Sequence, residues 1–533
     1  MVREGRLPVR ETVQKPERTG IKTFAAPSMG LALDQPIAAM PPNSALVMEN
    51  IFPTVNGARI RGGSLKKATI GSVVESLFSY RAGSVQNLFA AGGGSIFDIT
   101  NPADPDVAPT ASVTGQTGDE YSTVPFATSG GNYLYAVTGE DDPQLYDGSS
   151  WQAMNAGSTP ALIGTTVSSL IQVNSYRSRL YFVEKDSMRF WYLGVDAIGG
   201  SLTSFSLASV FQRGGKLLFM ANWSQDAGDG LDDKAVFVTD LGEVAIYEGS
   251  NPGDADNWGL VGLYKISPPM GKKAFTYAGG DLVILTQTGM VPISQAVRSE
   301  ESVLALSAIS RPIEPEWKAE VLQRTLPWEV VEIPKLNMGL VTLPTTGTLP
   351  AKAFAVNLQT SRWGIYTGWD ARCVTEFAGN GYFGANDGCV YEMESGGTDN
   401  GEAYIVKLAL APDHLDAPGR VKTVKMGRAV FNAYSNFNPQ VSVGRNYTPA
   451  FPTPPAAGEN IGASALWDTA VWDTALWDGG LAHVIGTKWQ SVGRSGYTLI
   501  PQLQATIANQ IAPEAEIISL ELTYVSGGVH SWT

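Results

Sequence analysis

The sequence has few of the residues that bind metals or form disulfides. Of 533 residues, two are cysteine and three are histidine. The spacing of Cys373 and Cys389 matches no metal-ligand pattern, so we predict two buried thiols. His414, His483 and His530 all lie in the last quarter of the chain, and no motif of a serine hydrolase, phosphate loop or zinc protease occurs. We therefore expect no metal, no cofactor and no enzymatic activity.

Long hydrophobic runs and an excess of positive charge are also missing. No stretch approaches the roughly 18 apolar residues of a membrane helix, and residues 1–20 lack the apolar core of a signal peptide. There are 37 Lys and Arg against 51 Asp and Glu, which gives a net charge of −14. The usual basic footprint of a nucleic-acid-binding protein is therefore absent. The acidity either serves solubility or provides a surface that does not hold DNA.

Turn-forming residues are abundant, and they separate a recurring hairpin pattern. The chain has 58 Gly and 32 Pro. An aromatic and aliphatic run, a turn with Gly or Asp, and a second apolar run begin at Asn87, Asn132, Arg179, Lys234, Asp281 and Gly381. The nearly continuous apolar residues predict strands that are covered on both faces. The usual spacing of about 45–50 residues is that of a four-stranded propeller blade.

These patterns predict an all-β protein with two domains. Residues 71–395 are predicted to form a six- or seven-bladed β-propeller, with a helical insertion near 296–324. A pair of irregular β-sandwiches would show similar hairpins and is the alternative. Residues 396–533 contain longer alternating runs and predict a second antiparallel β platform domain, interrupted by a Pro-rich and Trp-Asp loop at 446–480.

The Trp-Asp loop contains three Trp-Asp pairs at intervals of five residues. This interval fits neither a strand nor one face of a helix, and the repeats of Trp-Asp propellers come only once per blade. We predict a turn-rich loop whose rings pack on their own domain, bury against another subunit or protein, or stack on sugars. The residues are Trp467, Asp468, Trp472, Asp473, Trp477 and Asp478.

Two further segments are notable for charge. The sequence SQDAGDGL at 224–231 resembles the Asp-box turn of sialidase-like propellers, which is a structural motif in that family. We predict a solvated acidic loop there rather than a calcium site, because the spacing is not that of an EF-hand. Its acidic residues are Asp226, Asp229, Asp232 and Asp233. Residues 1–30 are predicted to form an extended arm, in which Arg3, Arg6 and Arg10 contact an acidic neighbour such as another copy.

Residues 31–70 are predicted to form a hairpin segment that leads into the propeller. It contains Asn-Ile-Phe-Pro at 50–53, a turn at 56–57, and Arg-Ile-Arg-Gly-Gly at 59–63. This segment resembles the tail-nozzle and packaged-DNA-stabilisation (tail tubular) proteins of short-tailed phages. Residues 234–271 and 353–393 continue the resemblance, which covers about residues 50–393.

The resemblance implies a structural protein of the virion tail, assembled in the host cytoplasm, and no catalytic residues. Such a protein forms a ring with itself, expected to be a hexamer, below the portal and adaptor proteins. It retains and then conducts packaged DNA, which passes without specific binding, and it docks tail fibres or spikes. An acidic wall would let DNA slide, because it repels phosphates. The alternatives are a glycan-binding or glycan-cleaving receptor-recognition propeller of a phage tail, and a cellular scaffold propeller.

Overall fold

The computed structural model describes residues 19–224, 233–324, 327–345, 348–433, 437–457, 484–486, 488–509 and 512–527. Strands are numbered in chain order. Five strands precede the first blade: β1 (Thr19–Ala25), β2 (Ala45–Glu49), β3 (Ile51–Pro53), β4 (Ala58–Ile60) and β5 (Ser64–Thr69).

Seven consecutive antiparallel sheets follow. Blade 1 contains β6 (Ser76–Ala82), β7 (Val85–Gly92), β8 (Ser95–Asp98) and β9 (Ala111–Thr114). Blade 2 contains β10 (Ser122–Thr128), β11 (Gly131–Val137), β12 (Gln144–Tyr146) and β13 (Trp151–Ala153). Beyond β14 (Leu162–Ile163), blade 3 contains β15 (Leu170–Tyr176), β16 (Arg179–Glu184), β17 (Arg189–Tyr192) and, after β18 (Gly200–Ser201), β19 (Thr203–Ser206). The short strands β14 and β18 form a separate parallel pair.

The other four blades are also antiparallel, but blade 5 has only three strands and blade 7 has three consecutive strands. Blade 4 contains β20 (Leu217–Ser224), β21 (Asp233–Thr239), β22 (Glu243–Gly249) and β23 (Trp258–Lys265), and blade 5 contains β24 (Phe275–Ala278), β25 (Asp281–Thr286) and β26 (Gly289–Pro292). Blade 6 contains β27 (Val330–Ile333), β28 (Met338–Leu343), β29 (Lys352–Asn357) and β30 (Arg362–Thr367). Blade 7 contains β31 (Ala371–Phe377), β32 (Asn380–Ala385) and β33 (Cys389–Met393).

The blades close into a ring. Contacts run from β6 through β10, β15 and β20 to blade 5, and then through β27 and β31 back to β6. The fourth strand of blade 7 is β5, which pairs antiparallel with β33. The fold is therefore a seven-bladed propeller whose last blade is completed by an early strand of the chain. The prediction of an all-β propeller with a second antiparallel β domain is confirmed.

Apolar side chains between the blades explain the continuous apolar runs. Separate buried clusters lie between neighbouring blades, for example between blades 1 and 2 and between blades 3 and 4. In β21 the last five residues are all buried, since both faces of the strand pack on neighbouring blades. Cys373 and Cys389 are buried free thiols, as predicted. The helices α1 (Ile293–Ala296), α2 (Glu301–Ser307) and α3 (Glu314–Gln323) separate blades 5 and 6 where a helical insertion was predicted.

The second domain combines strands from both ends of the described chain. Its C-terminal strands are β34 (Tyr404–Leu410), β35 (Lys422–Ala433), β36 (Gln440–Arg445), β37 (Val484–Gly486), β38 (Gln490–Gly496), β39 (Leu499–Ile507) and β40 (Glu516–Ser526). One sheet joins β3, β4, β40, β35 and β37, with β1 on β40 and β38 on β35. The other extends blade 6, because β30 pairs in parallel with β2, and β34, β39 and β36 follow.

The domain boundaries differ from the predicted ones at the N-terminal end. Part of the predicted arm forms β1, whose Thr19 pairs with Val525 of β40. The predicted hairpin segment is divided, since β2, β3 and β4 belong to the second domain and β5 belongs to blade 7. Residues 396–533 therefore do not form a separate domain alone. Apart from the local β3–β4 hairpin, the partners of these early strands lie hundreds of residues away, so local sequence patterns contain no signal for those pairings.

Candidate functional site

Most residues predicted to carry function lie outside the described residues. These are Trp467, Asp468, Trp472, Asp473, Trp477, Asp478, Arg3, Arg6, Arg10, Asp226, Asp229 and Asp232. Asp233 is described, and its carboxylate accepts a hydrogen bond from the Ser224 hydroxyl at 2.6 Å where β20 and β21 pair. In the described ranges no group of His, Cys, Asp and Glu is arranged to hold a metal ion, and no helix there is long and apolar enough to cross a membrane.

A buried polar cluster, which we call the joint, lies where the propeller meets the second domain. At its centre is the fully buried Arg61, which follows β4. Its guanidinium makes a bidentate ion pair with Asp399, at 2.8 and 2.6 Å. It also donates to the Asn50 side chain at 2.8 Å and to the carbonyls of Gly62 and Thr367 at 2.8 and 3.0 Å. All five N–H donors of the guanidinium are therefore used.

Aromatic rings complete the surroundings of Arg61. The guanidinium carbon lies 3.9 Å from the ring centroid of Tyr404 and 4.7 Å from that of Trp369. The Trp369 indole N–H also donates to Asp399 at 2.9 Å. Burial lowers the pKa of Arg61, but the Asp399 carboxylate outweighs this effect and the net pKa is raised. The arginine is therefore a permanent cation, held by a carboxylate and by ring faces.

The two glycines after Arg61 are required by close backbone approach. A Cβ on Gly63 would lie 2.0 Å from the carbonyl oxygen of Thr398, and one on Gly62 would lie 2.8 Å from the carbonyl carbon of Glu394. The Glu394 carboxylate accepts from the Gly62 N–H and from Arg59, both at 2.7 Å. The sequence Arg-Ile-Arg-Gly-Gly is thus explained by packing against residues 394–399.

A second polar region lies on the propeller axis. A cavity of about 310 Å³, open to solvent on one side, is lined by residues in or next to the first strands of several blades. Its lining includes Leu77, Tyr121, Ser122, Thr123, Val124, Pro125, Gln172, Val173, Asn174, Lys272, Lys273, Phe275, Tyr277, Glu329, Val330 and Val374. Residues of blades 1, 2, 3, 5, 6 and 7 contribute, so the cavity exists only because the ring is closed.

Charged residues gather at the end of the axis where these inner strands begin. Lys273 pairs with Glu329 at 2.8 Å, which joins the start of blade 5 to the start of blade 6. Arg372 of blade 7 pairs with Glu75, which immediately precedes blade 1. Lys272 reaches towards blade 2, where its ammonium donates to the carbonyl of Glu120 at 2.7 Å. We call Lys272, Lys273 and Glu329, which line the cavity, the axial cluster.

The two lysines of the axial cluster differ in charge compensation. Burial lowers the pKa of Lys272 to about 8, because Glu120 and other carboxylates only partly oppose this effect. The nearest Glu120 carboxylate oxygen is 3.8 Å from the ammonium. For Lys273 burial also lowers the pKa, but the Glu329 carboxylate outweighs it and the net pKa is raised. Lys272 is therefore the less fully compensated cation.

Neither polar region has a clear signal in the sequence. Arg59 and Arg61 stood out as neighbours in a strand, but their partners Glu394 and Asp399 lie more than 300 residues away. Lys272 and Lys273 form a simple doublet before an aromatic strand, and a lysine doublet is ordinary on a protein surface. Only the closure of the ring places them around one axis.

Comparisons with known proteins add little to the fold. No protein-family model and no curated protein matches the sequence. Three solved structures each resemble 62–63% of the chain. BBS1N in complex with ARL6DN has a TM-score of 0.36 at 9% identity, with 96% of that chain covered. YCF48 from Cyanidioschyzon merolae has a TM-score of 0.29 at 8% sequence identity, and 98% of that chain is covered. The computationally designed Ika8 protein has a TM-score of 0.32 at 9% sequence identity, and 99% of that chain is covered. These TM-scores are below 0.5, so the strand pairing alone defines the fold.

Proposed function

We propose that this chain is a structural subunit of a short-tailed phage tail, similar to the tail nozzle. In this proposal six copies form a ring that extends the portal and adaptor channel. The ring retains packaged DNA, conducts it at ejection, and docks tail fibres or spikes. The protein acts by assembly and shape rather than by catalysis.

The observation that carries the proposal is the location of the segment with the phage resemblance. Residues 50–63 contribute Asn50, Arg61 and Gly63 to the joint, where each is buried or closely packed. A chance match would be expected to fall on surface positions that tolerate many residues. Here the motif specifies how the propeller and the second domain meet, so the resemblance concerns an architecture rather than a short peptide. This supports a shared structural role.

The axis of one propeller is not the DNA conduit in this proposal. Side chains of the axial cluster extend into the axis, and the cavity is only about 310 Å³. A duplex would instead pass between copies, along a wall formed by the outer surfaces of the ring. The net charge of −14 fits such a wall, since it disfavours binding to phosphates.

The test is to locate the protein in intact phage particles. An antibody raised against the folded chain and coupled to gold is viewed by electron microscopy, with pre-immune serum as the control. Label at the vertex between head and tail tip is the expected result. Label only on distal fibres would support the receptor-binding alternative, and particles without label would refute a virion role.

A second measurement tests assembly directly. Mass photometry of the purified chain is expected to show a species of six times 56.7 kDa, alone or after addition of portal and adaptor proteins. A chain that stays monomeric under both conditions would contradict the ring.

A further inference from the structure

We propose that the axial cavity binds a small organic monocarboxylate, whose carboxylate group is received by Lys272 and Lys273. This inference concerns a ligand inside one propeller and does not depend on the proposed tail function. The cavity has unused N–H donors, a partly compensated cation and a volume that suits a small molecule.

The two ammonium groups keep unused donors. An ammonium has three N–H donors. Lys272 donates to the carbonyls of Glu120 and Thr138, at 2.7 and 3.4 Å. Lys273 donates to Glu329 at 2.8 Å and to the Ser76 hydroxyl at 3.3 Å. Within the described residues, each ammonium thus has one N–H left for a ligand.

Among the other polar side chains of the cavity, the Tyr121 hydroxyl is buried without a partner, and it can donate as well as accept. Gln172, Asn174 and Glu329 are occupied. The Gln172 amide donates to and accepts from the backbone of Met220, at 3.0 and 3.1 Å, and Asn174 donates to the same carbonyl at 3.0 Å. The Glu329 carboxylate accepts from Lys273 and from the Val374 N–H at 3.2 Å. The free groups are therefore mainly donors, and a ligand must supply acceptors.

The charge and size of the cavity indicate the class of ligand. Two ammonium groups and one carboxylate line it. The Glu120 carboxylate is outside the lining and only 3.8 Å from Lys272, so Lys272 is a partly compensated cation that favours a monoanion. Leu77, Val124, Val173 and Phe275 also line the cavity and provide apolar contacts for the rest of the ligand. A volume of about 310 Å³ lies at the lower end of the range for small-molecule sites. An inorganic phosphate would leave these apolar side chains without a contact.

The primary test needs no variant. Isothermal titration calorimetry compares benzoate with benzyl alcohol, which has a similar shape and no charge, on the full chain at pH 7. We expect saturable binding of one benzoate per chain, at least tenfold tighter than benzyl alcohol or inorganic phosphate. If benzoate binds no tighter than benzyl alcohol, or if phosphate binds tighter, the proposal is wrong.

Variants then locate the bound benzoate. Lys272→Met is expected to weaken benzoate binding at least tenfold, whereas Lys272→Arg keeps the charge and restores most of it. Lys318→Met, which removes an exposed lysine of α3, is the matched control and should bind as the unchanged chain does. Circular dichroism establishes that each variant is folded. Unchanged binding by a folded Lys272→Met chain would show that benzoate binds elsewhere and would overturn the assignment.

Discussion

The joint and the axial cluster use buried cations in opposite ways. At the joint, all five N–H groups of the Arg61 guanidinium donate hydrogen bonds, two of them to the Asp399 carboxylate. Two aromatic rings also pack on the guanidinium. In the axial cluster, the Lys272 ammonium donates two hydrogen bonds to uncharged backbone carbonyls and lies beside a cavity. A fully satisfied cation fixes two domains in one geometry. A partly satisfied cation next to free volume leaves capacity for a ligand.

The largest expected effect is the loss of the arginine at the joint. Arg61→Met leaves Asp399 without its ion-pair partner in a largely buried site, so we expect a loss of about 3–5 kcal/mol in the free energy of unfolding. Urea denaturation followed by tryptophan fluorescence measures it. Arg61→Lys should recover little, because an ammonium cannot replace the bidentate fork.

The matched control is Arg189→Met. The Arg189 side chain is 47% exposed and lies 3.6 Å from Glu184, so its removal should change stability by less than about 1 kcal/mol. If Arg61→Met and Arg189→Met lowered the free energy of unfolding by similar amounts, the joint would contribute no more to stability than an ordinary surface ion pair.

A glycine substitution tests whether backbone packing or ion pairing organises the joint. Gly63→Ala places a Cβ 2.0 Å from the Thr398 carbonyl oxygen, so the backbone must move, at a cost of roughly 1–3 kcal/mol. Gly259→Ala in β23 meets open space and serves as the control. The difference between their urea midpoints is the measurement. Equal midpoints would mean that the backbone around Gly63 can move to accommodate the added methyl group at little cost in stability.

The axial cluster should show its incomplete compensation as a pH dependence. Lys272 has a pKa of about 8 in the folded chain and an ordinary value of 10.5. Between these values the unfolded chain binds the additional proton, so deprotonation favours the folded state as pH rises. The stability of the unchanged chain relative to Lys272→Met should therefore increase from pH 8 to 10.5, by on the order of 1–2 kcal/mol. Paired urea titrations at pH 7.0, 8.5 and 10 would measure this, and a difference independent of pH would show that Lys272 is well compensated.

The smallest effect is expected at a solvent-exposed cation. Lys318 is 52% exposed and pairs with Glu314 one helical turn away. Lys318→Met should change the free energy of unfolding by less than about 0.5 kcal/mol, because water and salt screen the pair. Thermal unfolding in low and high salt measures it. A larger loss in the free energy of unfolding would mean that Lys318 stabilises the fold as Arg61 does, despite its exposure.

The elements with local signals were predictable from the sequence, and those with distant partners were not. Hairpins beginning near Asn87, Asn132 and Lys234 were predicted because apolar strands flank turn residues within about fifteen positions. The strands β1 and β5 were missed, since each pairs with a strand far along the chain. Likewise, Arg61 could be noticed, but not Asp399 as its partner. Whether the tryptophans of the Trp-Asp loop pack on their own domain, on another subunit or on sugars stays a prediction, because those residues lie outside the described part.

Because early strands pair with late ones, they cannot complete their sheets until most of the chain has been synthesised. Thr19 of β1 pairs with Val525 of β40, and β5 completes a blade whose other strands end at Met393. A ribosome adds about 5–20 residues per second, so β1 waits roughly 25–100 s for its partner. During that time the first strands leave unpaired edges exposed in a crowded cell, where they can pair with the wrong chain. A chaperone or a folded neighbour that shields residues 19–69 would therefore raise the yield of folded protein more than one acting on the last strands.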